Sequence, residues 1–260
     1  MADGSRRDPD IPDKMAAMID PTPLWDFDDP SASEERLRAA AEEVEGDDRL
    51  VLMTQVARAL GMQERYDQGH AVLDQLSPTT DEVSVRIALE RGRLLRSAGD
   101  PEGARPHFEA AAQTASSARL EALHVDALHM LALVADPAER VEINLRGLGI
   151  ARASSDQATR DWDATLLNNV GMAQADAGDF EAALTSFEDA LAARTRIGDP
   201  ARTRVARWMV AWALRNLGRR VEALMLQRHL RAELDAAGLN DSHVDDELAI
   251  LELDEPQTRQ

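Results

Sequence analysis

Apolar residues recur at spacings of three and four along most of the chain, the period of a helix with one buried face. Compact turn signals interrupt these runs: Gly99-Asp100-Pro101, Asp136-Pro137, Gly178-Asp179 and Gly198-Asp199-Pro200. Glycine closes a helix in the left-handed conformation, and aspartate caps the next one. Proline suits a first helical position, where its missing N–H has no partner anyway. Each signal therefore predicts a helix ending and another beginning. Ser31-Ala32-Ser33-Glu34 has the spacing of a capping box and predicts the start of the first regular helix.

Between the signals a small-large-small series repeats. Ala183, Phe187 and Ala190 follow the turn at Gly178 as Ala104, Phe108 and Ala111 follow the turn at Gly99. Gly69, Leu73 and Leu76 continue the series upstream, Ala223, Gln227 and Leu230 downstream, and Val141, Leu145 and Leu148 fit less well between them. The leading positions lie 35, 37, 42 and 40 residues apart, the length of a two-helix repeat. Phe108, Phe180, Phe187 and Tyr66 are read as core or turn residues.

The segment Leu167-Asn168-Asn169-Val170-Gly171, followed by Gly178-Asp179-Phe180 and then Ala183, Phe187 and Ala190, resembles a tetratricopeptide repeat with nearly every signature position filled. Weaker copies run from Met53 to Leu76, Ala88 to Ala111 and Arg207 to Leu230; the copy from His124 to Leu148 lacks the glycine turn and the aromatic, which leaves its register open. The ALHMLA, LLNNVG and ARWMVAWALRNLGR stretches are also similar to bacterial tetratricopeptide proteins, a likeness that assigns no function. The resemblance spans residues 31–238 and implies an all-α fold, a right-handed superhelical solenoid of about five helix pairs, ten to twelve helices in all. Residues 1–30, rich in Asp and Pro, are expected to form an extended N-terminal arm. Residues 239–260 are read as an acidic tail or a short capping helix around Val244–Leu253. Trp25 and Phe27 are expected to dock on the first helix, and the arm is long enough to lie along the solenoid and occlude it.

Composition narrows the function. The 48 acidic against 29 basic side chains give a net charge of −19, which repels nucleic acid and anionic lipid. With no cysteine, disulfides and thiolate metal sites are excluded. No apolar run approaches the length of a membrane span, and a cytoplasmic location is expected. All but one of the basic residues are arginine, so an arginine is not functional merely for being one. No metalloprotease helix motif, nucleophile elbow or phosphate-binding loop is present. His124 and His129, five residues apart, share a helix face too poorly to hold a metal. Asp241-Ser242-His243 imitates a triad only in sequence, and the pairs Glu42/Glu43 and Asp245/Asp246 read as solvated charge. No enzyme activity, cofactor or metal is expected.

Binding is the better-supported class. The resemblance implies that the first helix of each pair lines a concave surface on which peptides or helices of partners lie. Projecting those helices inward selects Gln55 and Arg58; Glu90, Arg93 and Arg96; Asp126 and His129; Asn168, Asn169, Met172 and Asp176; and Trp208, Trp212 and Arg215. Of these, Arg58, Arg93, Arg96, His129, Asn168, Asn169, Met172, Trp208, Trp212 and Arg215 are the candidate peptide-binding residues. An arginine fork holds a carboxylate with two hydrogen bonds, and an asparagine amide matches a peptide bond, a combination suited to an extended, acidic or carboxyl-terminated peptide. One tryptophan is expected to plug a seam between repeats and the other to stand in the groove. The sequence thus reads as a non-enzymatic protein- or peptide-binding adaptor or sensor. The alternatives are a self-associating scaffold that dimerises through its terminal repeat, and a sensor of a small molecule or signalling peptide.

Overall fold

The turn signals do what their chemistry demands. Asp100, Asp179 and Asp199 each accept a hydrogen bond from the backbone N–H three residues on, at 2.8, 3.0 and 3.1 Å, and so start a helix. Asp136 makes no such cap. Gly178, with φ +81°, sits in the left-handed region that an L-residue enters only at a cost, and Gly198 does the same at +83°.

The computed structural model describes residues 19–253, so residues 1–18 of the expected arm and 254–260 of the expected tail lie outside the described residues. Within them the regular structure is helical throughout, with no strand. A 3-10 turn, Thr22–Leu24, precedes α1 (Pro30–Glu42). Five hairpins follow: α2 (Gly46–Met62) with α3 (Tyr66–Asp74), α4 (Asp81–Ser97) with α5 (Pro101–Ser117), α6 (Glu121–Ala132) with α7 (Pro137–Ala153), α9 (Asp163–Asp176) with α10 (Phe180–Ile197), and α11 (Pro200–Asn216) with α12 (Arg220–Ala236). The single turn α8 (Gln157–Arg160) interrupts the array between α7 and α9, and α13 (Ser242–Leu253) packs on α12 at its end. Each hairpin stacks on the next, α5 on α6, α7 on α9 and α10 on α11, in a right-handed solenoid whose inner face is made by α2, α4, α6, α9 and α11.

The small-large-small series builds the seams. Phe108 and Phe187 are fully buried. A Cβ added at Gly92 or Gly171 would lie 2.5 Å from the ring of Phe108 or Phe187, respectively, so glycine is what lets the ring fit. In the last hairpin the same two positions hold Ala211 and Gln227, both fully buried, and the Gln227 amide has no hydrogen-bond partner. The α6–α7 hairpin settles the open register: Leu145 is 48% exposed, whereas Asn144 is buried and takes the aromatic's place one residue earlier than the sequence series has it.

The beginning of the first helix also differs from expectation. Asp29, not Ser31, caps α1, its carboxylate accepting from the Ala32 N–H at 2.9 Å. Glu34, itself buried, is drawn instead into a network with the half-exposed Arg38 and Arg65 and with Gln63, at 2.8, 2.7 and 3.0 Å. Burial raises the cost of its charge, yet the hydrogen bonds from Gln63 and Arg38 outweigh this and hold its carboxyl below the usual range.

Candidate functional site

The inner face is stitched together by side chains about one repeat apart in sequence. Arg93 on α4 reaches Asp126 on α6, its Nη2 donating to both carboxylate oxygens at 2.6 Å, while its Nη1 donates to Glu90 at 2.5 Å. Burial works against the charge of Asp126, but the Arg93 guanidinium more than compensates and keeps its carboxyl below the ordinary value. Burial likewise opposes the charge of Arg93, and the two carboxylates hold its pKa above the usual arginine value. Glu90 is only 2% exposed, and its Oε2 has no hydrogen-bond partner. Arg93 is thereby neutralised within the chain and is not the free carboxylate-binding fork expected of it.

Upstream, the inner face is covered by the chain's own N-terminal segment. Trp25 and Phe27 stack face to face, centroids 5.0 Å apart, and the Arg58 guanidinium lies 5.6 and 5.8 Å from the two ring centres. The Trp25 indole N–H donates to Gln55 Oε1 at 3.3 Å. Trp25 therefore packs on the core shared by α1 and α2, whereas Phe27 meets Trp25 and Arg58 of α2. A cleft of about 250 Å³ remains between this segment and the floor made by Arg86, Leu89, Glu90 and Asp126.

The middle of the face is different. Asn169 Nδ2 donates to His129 Nδ1 at 2.9 Å, and lies 3.4 Å from Asn144 Oδ1. With the amide nitrogen donating, Nδ1 is the unprotonated ring nitrogen. Burial pushes the His129 pKa below its ordinary value; Asp126 opposes this, while Arg93 and Arg96 add to it. Trp162, at the start of α9, tilts over the imidazole at 5.4 Å. Around this cluster, Arg96 and Asn168 make no side-chain hydrogen bond or ion pair among the described residues, and Met172 is 37% exposed. Asn144, Asn169, Met172, Arg140 and Asp176 line a cleft of about 290 Å³.

At the C-terminal end the expected groove residues are again taken up internally. Trp212 packs edge-on against Phe180 and Phe187, at 5.5 and 6.3 Å, and fills the seam expected of one tryptophan. Trp208 stacks on it at 6.5 Å, but α13 covers Trp208. Its indole N–H donates to the His243 carbonyl at 3.1 Å, with the His243 ring edge-on at 6.1 Å. It is not the exposed groove tryptophan of the sequence reading. Arg215 forks onto Glu247 of α13 at 2.7 and 2.9 Å.

The ten candidates are thus parted. Arg93, Trp208, Trp212 and Arg215 serve contacts within the chain, and Arg58 holds the N-terminal aromatics. In the middle His129 meets Asn169, Arg96 stands near enough to His129 to act on its charge, and Asn168 and Met172 lie one helical turn apart on α9. His124 turns to the opposite, outer face, in a cleft of about 530 Å³ with Arg105 and Arg146, so it shares no site with His129. No cluster of three or more metal-ligating side chains occurs among the described residues, and no helix there is long and apolar enough to cross a membrane. Trp162 and Asn144 were missed in the sequence; the 42-residue spacing before Ala183 was the sign that an insertion preceded α9.

A model of the tetratricopeptide repeat matches residues 162–232. No curated protein matches the chain in sequence. Among solved structures, the chain is similar to apo RapI, with a TM-score of 0.69 at 13% identity over 87% of this chain and 67% of that one. It is also similar to BtubC (BKLC) from P. vanneervenii, with a TM-score of 0.59 at 15% identity over 90% and 94%. The quorum sensor NprR from B. thuringiensis gives 0.60 at 19% identity over 87% and 65%, and NprR has also been solved in complex with its cognate peptide NprX. At these identities the likeness establishes the fold.

Proposed function

We propose that this chain, a tetratricopeptide-repeat protein, holds an extended peptide segment of a partner protein against the middle of its inner face, as a non-enzymatic adaptor or sensor. One observation carries the reading. In the middle of the inner face the half-buried Asn168 makes no side-chain hydrogen bond among the described residues and lies one helical turn from the part-exposed Met172, while the exposed Arg96, near enough to His129 to act on its charge, makes no ion pair there. Unpartnered polar groups next to an apolar side chain on a rigid surface are what an incoming backbone and its side chains require. Arg96 supplies charge for a carboxylate, Asn168 a donor and an acceptor for a peptide bond, and Met172 an adaptable apolar contact. His129, Asn169 and Asn144 hold the floor in place, so little of the receptor has to be ordered on binding.

The match to a repeat family rather than to a catalytic one agrees with this reading, and so does NprR, a protein of similar fold solved with its cognate peptide. The self-association alternative, in which the terminal repeat dimerises through Trp208, Trp212 and the acidic C-terminal arm, is less favoured, since Trp208 packs under α13 and Trp212 in the seam.

The test is capture of partners from the source organism's lysate by the intact chain and by an Arg96→Ala/Asn168→Ala/Met172→Ala variant, with the retained proteins identified by mass spectrometry. The variant is expected to keep its helical content and lose the partner. Equal retention by both would refute the reading.

A further inference from the structure

Residues 19–28 lie on the N-terminal end of the inner face in the manner of a bound peptide. The contacts are those of a ligand: an aromatic pair under a guanidinium, an indole N–H on the Gln55 amide, and the Ile19 N–H donating to Asp48 at 2.9 Å. Arg36 donates to the Leu24 carbonyl at 3.0 Å, and Ser33 exchanges hydrogen bonds with the backbone of Asp26 at 2.8 Å. Asp20 stands near enough to Arg86 to feel its charge.

The fit is incomplete. Phe27 is 57% exposed, the indole bond is long, and a cleft of about 250 Å³ is left beneath the segment. In the floor of that cleft, Glu90 Oε2 is buried with no donor among the described residues. The cation of Arg58 makes no hydrogen bond or close ion pair among the described residues; it lies over the two rings and near enough to Asp126 to favour that carboxylate's charge. The surface is therefore built for this chemistry, but its resident segment leaves part of it unused.

We propose that Gln55 and Arg58 form a recognition site for an extended segment with two aromatic side chains two residues apart, flanked by carboxylates. Arg86, itself paired with Glu82 at 2.8 and 3.0 Å, stands within electrostatic reach of one of those carboxylates. The chain's own Asp20–Asp28 segment occupies the site in cis, and a partner segment of the same chemistry binds by displacing it. The proposal rests on the reading of the inner face as a peptide-recognition surface and assigns to its N-terminal end a chemistry of its own. Access to that end is set by competition with a tethered copy, whose high effective concentration makes the site respond only to a better-fitting partner.

The probe is a fluorescently labelled peptide of residues 19–29, and the readout is its anisotropy on titration with the full chain. A Trp25→Ala/Phe27→Ala chain, with its site vacated, is expected to bind the peptide at least tenfold tighter than the unaltered chain. Adding Arg58→Ala is expected to abolish that gain. Circular dichroism establishes that each variant is folded. If the double variant does not fold, Phe27→Ala alone removes the exposed ring and is expected to give about a threefold gain. Equal binding to the unaltered and vacated chains, no binding to a folded vacated chain, or binding indifferent to Arg58→Ala would each overturn the proposal. The Arg96→Ala/Asn168→Ala/Met172→Ala chain is expected to leave this peptide's binding unchanged, so the two readings fail separately.

Discussion

At the C-terminal end of the inner face Arg215 spends its guanidinium on Glu247, and Trp208 spends its indole N–H on the His243 carbonyl, both in α13. Forty residues upstream from that tryptophan, on the corresponding turn of α9, Asn168 has no side-chain partner among the described residues, and Arg96 on α4 has none either. The two regions are built from the same kind of helix, in the same layer, with side chains of the same classes. What differs is whether the chain brings a partner of its own. A solenoid must cover its ends, so a polar group there is absorbed by a capping element, whereas the same group in the middle is left for something else.

This contrast can be broken from either side. The largest effect is expected at Arg93, which joins the covered N-terminal end to the open middle. Arg93→Ala leaves Glu90 and Asp126 buried without their cation and should cost about 3–5 kcal/mol, read as a lower urea midpoint. A loss below about 1 kcal/mol would mean that the triad is solvated and that Arg93 is available to a ligand after all. Next is Glu247→Ala, which removes the partner of Arg215 and loosens α13. A loss of about 3 kcal/mol is expected, together with a red shift in tryptophan emission as Trp208 meets water. Unchanged emission would show that α13 does not depend on the pair.

A smaller effect is expected from pH. Burial holds His129 below its ordinary value, so between that value and its folded pKa the unfolded chain binds the proton and the native chain does not. The stability that belongs to the neutral ring is present above about pH 6.5 and is lost as the pH falls from there toward the folded pKa. His70, His107 and His124 shift in the same direction, so the comparison is with His129→Gln, whose midpoint should fall less than that of the unaltered chain between about pH 7.5 and 5.5. Identical profiles would place the His129 ring in solvent. Smallest of all, Arg96→Ala and Asn168→Ala should each change stability by no more than about 0.5 kcal/mol. A larger loss would mean that the middle, like the ends, is spoken for.

The scaffold was readable because its devices are local. A glycine-aspartate turn acts on its own backbone, and Phe108 and Phe187 sit 16 residues after the glycines that admit them. The site was less readable because its deciding contacts are not local. Arg93 meets Asp126 across 33 residues and Arg215 meets Glu247 across 32, so a projection of one helix at a time shows the arginine and not the carboxylate that neutralises it. The repeat length itself carried a hint, since an acid about one repeat downstream of an inward-facing arginine falls on the neighbouring helix of the same layer. Asn144 was hidden differently: apolar Leu145 beside it drew the register one residue forward, although the buried position goes to the amide that reaches Asn169.

The most direct test places a photo-activatable cross-linking residue at Met172, in the middle of the inner face, and in a second chain at Gln113, which lines the outer cleft. Both chains are irradiated in the source organism's lysate. Adducts to a partner at position 172 and none at position 113 are the expected result; adducts at 113 alone would contradict the account and move recognition to the outer face.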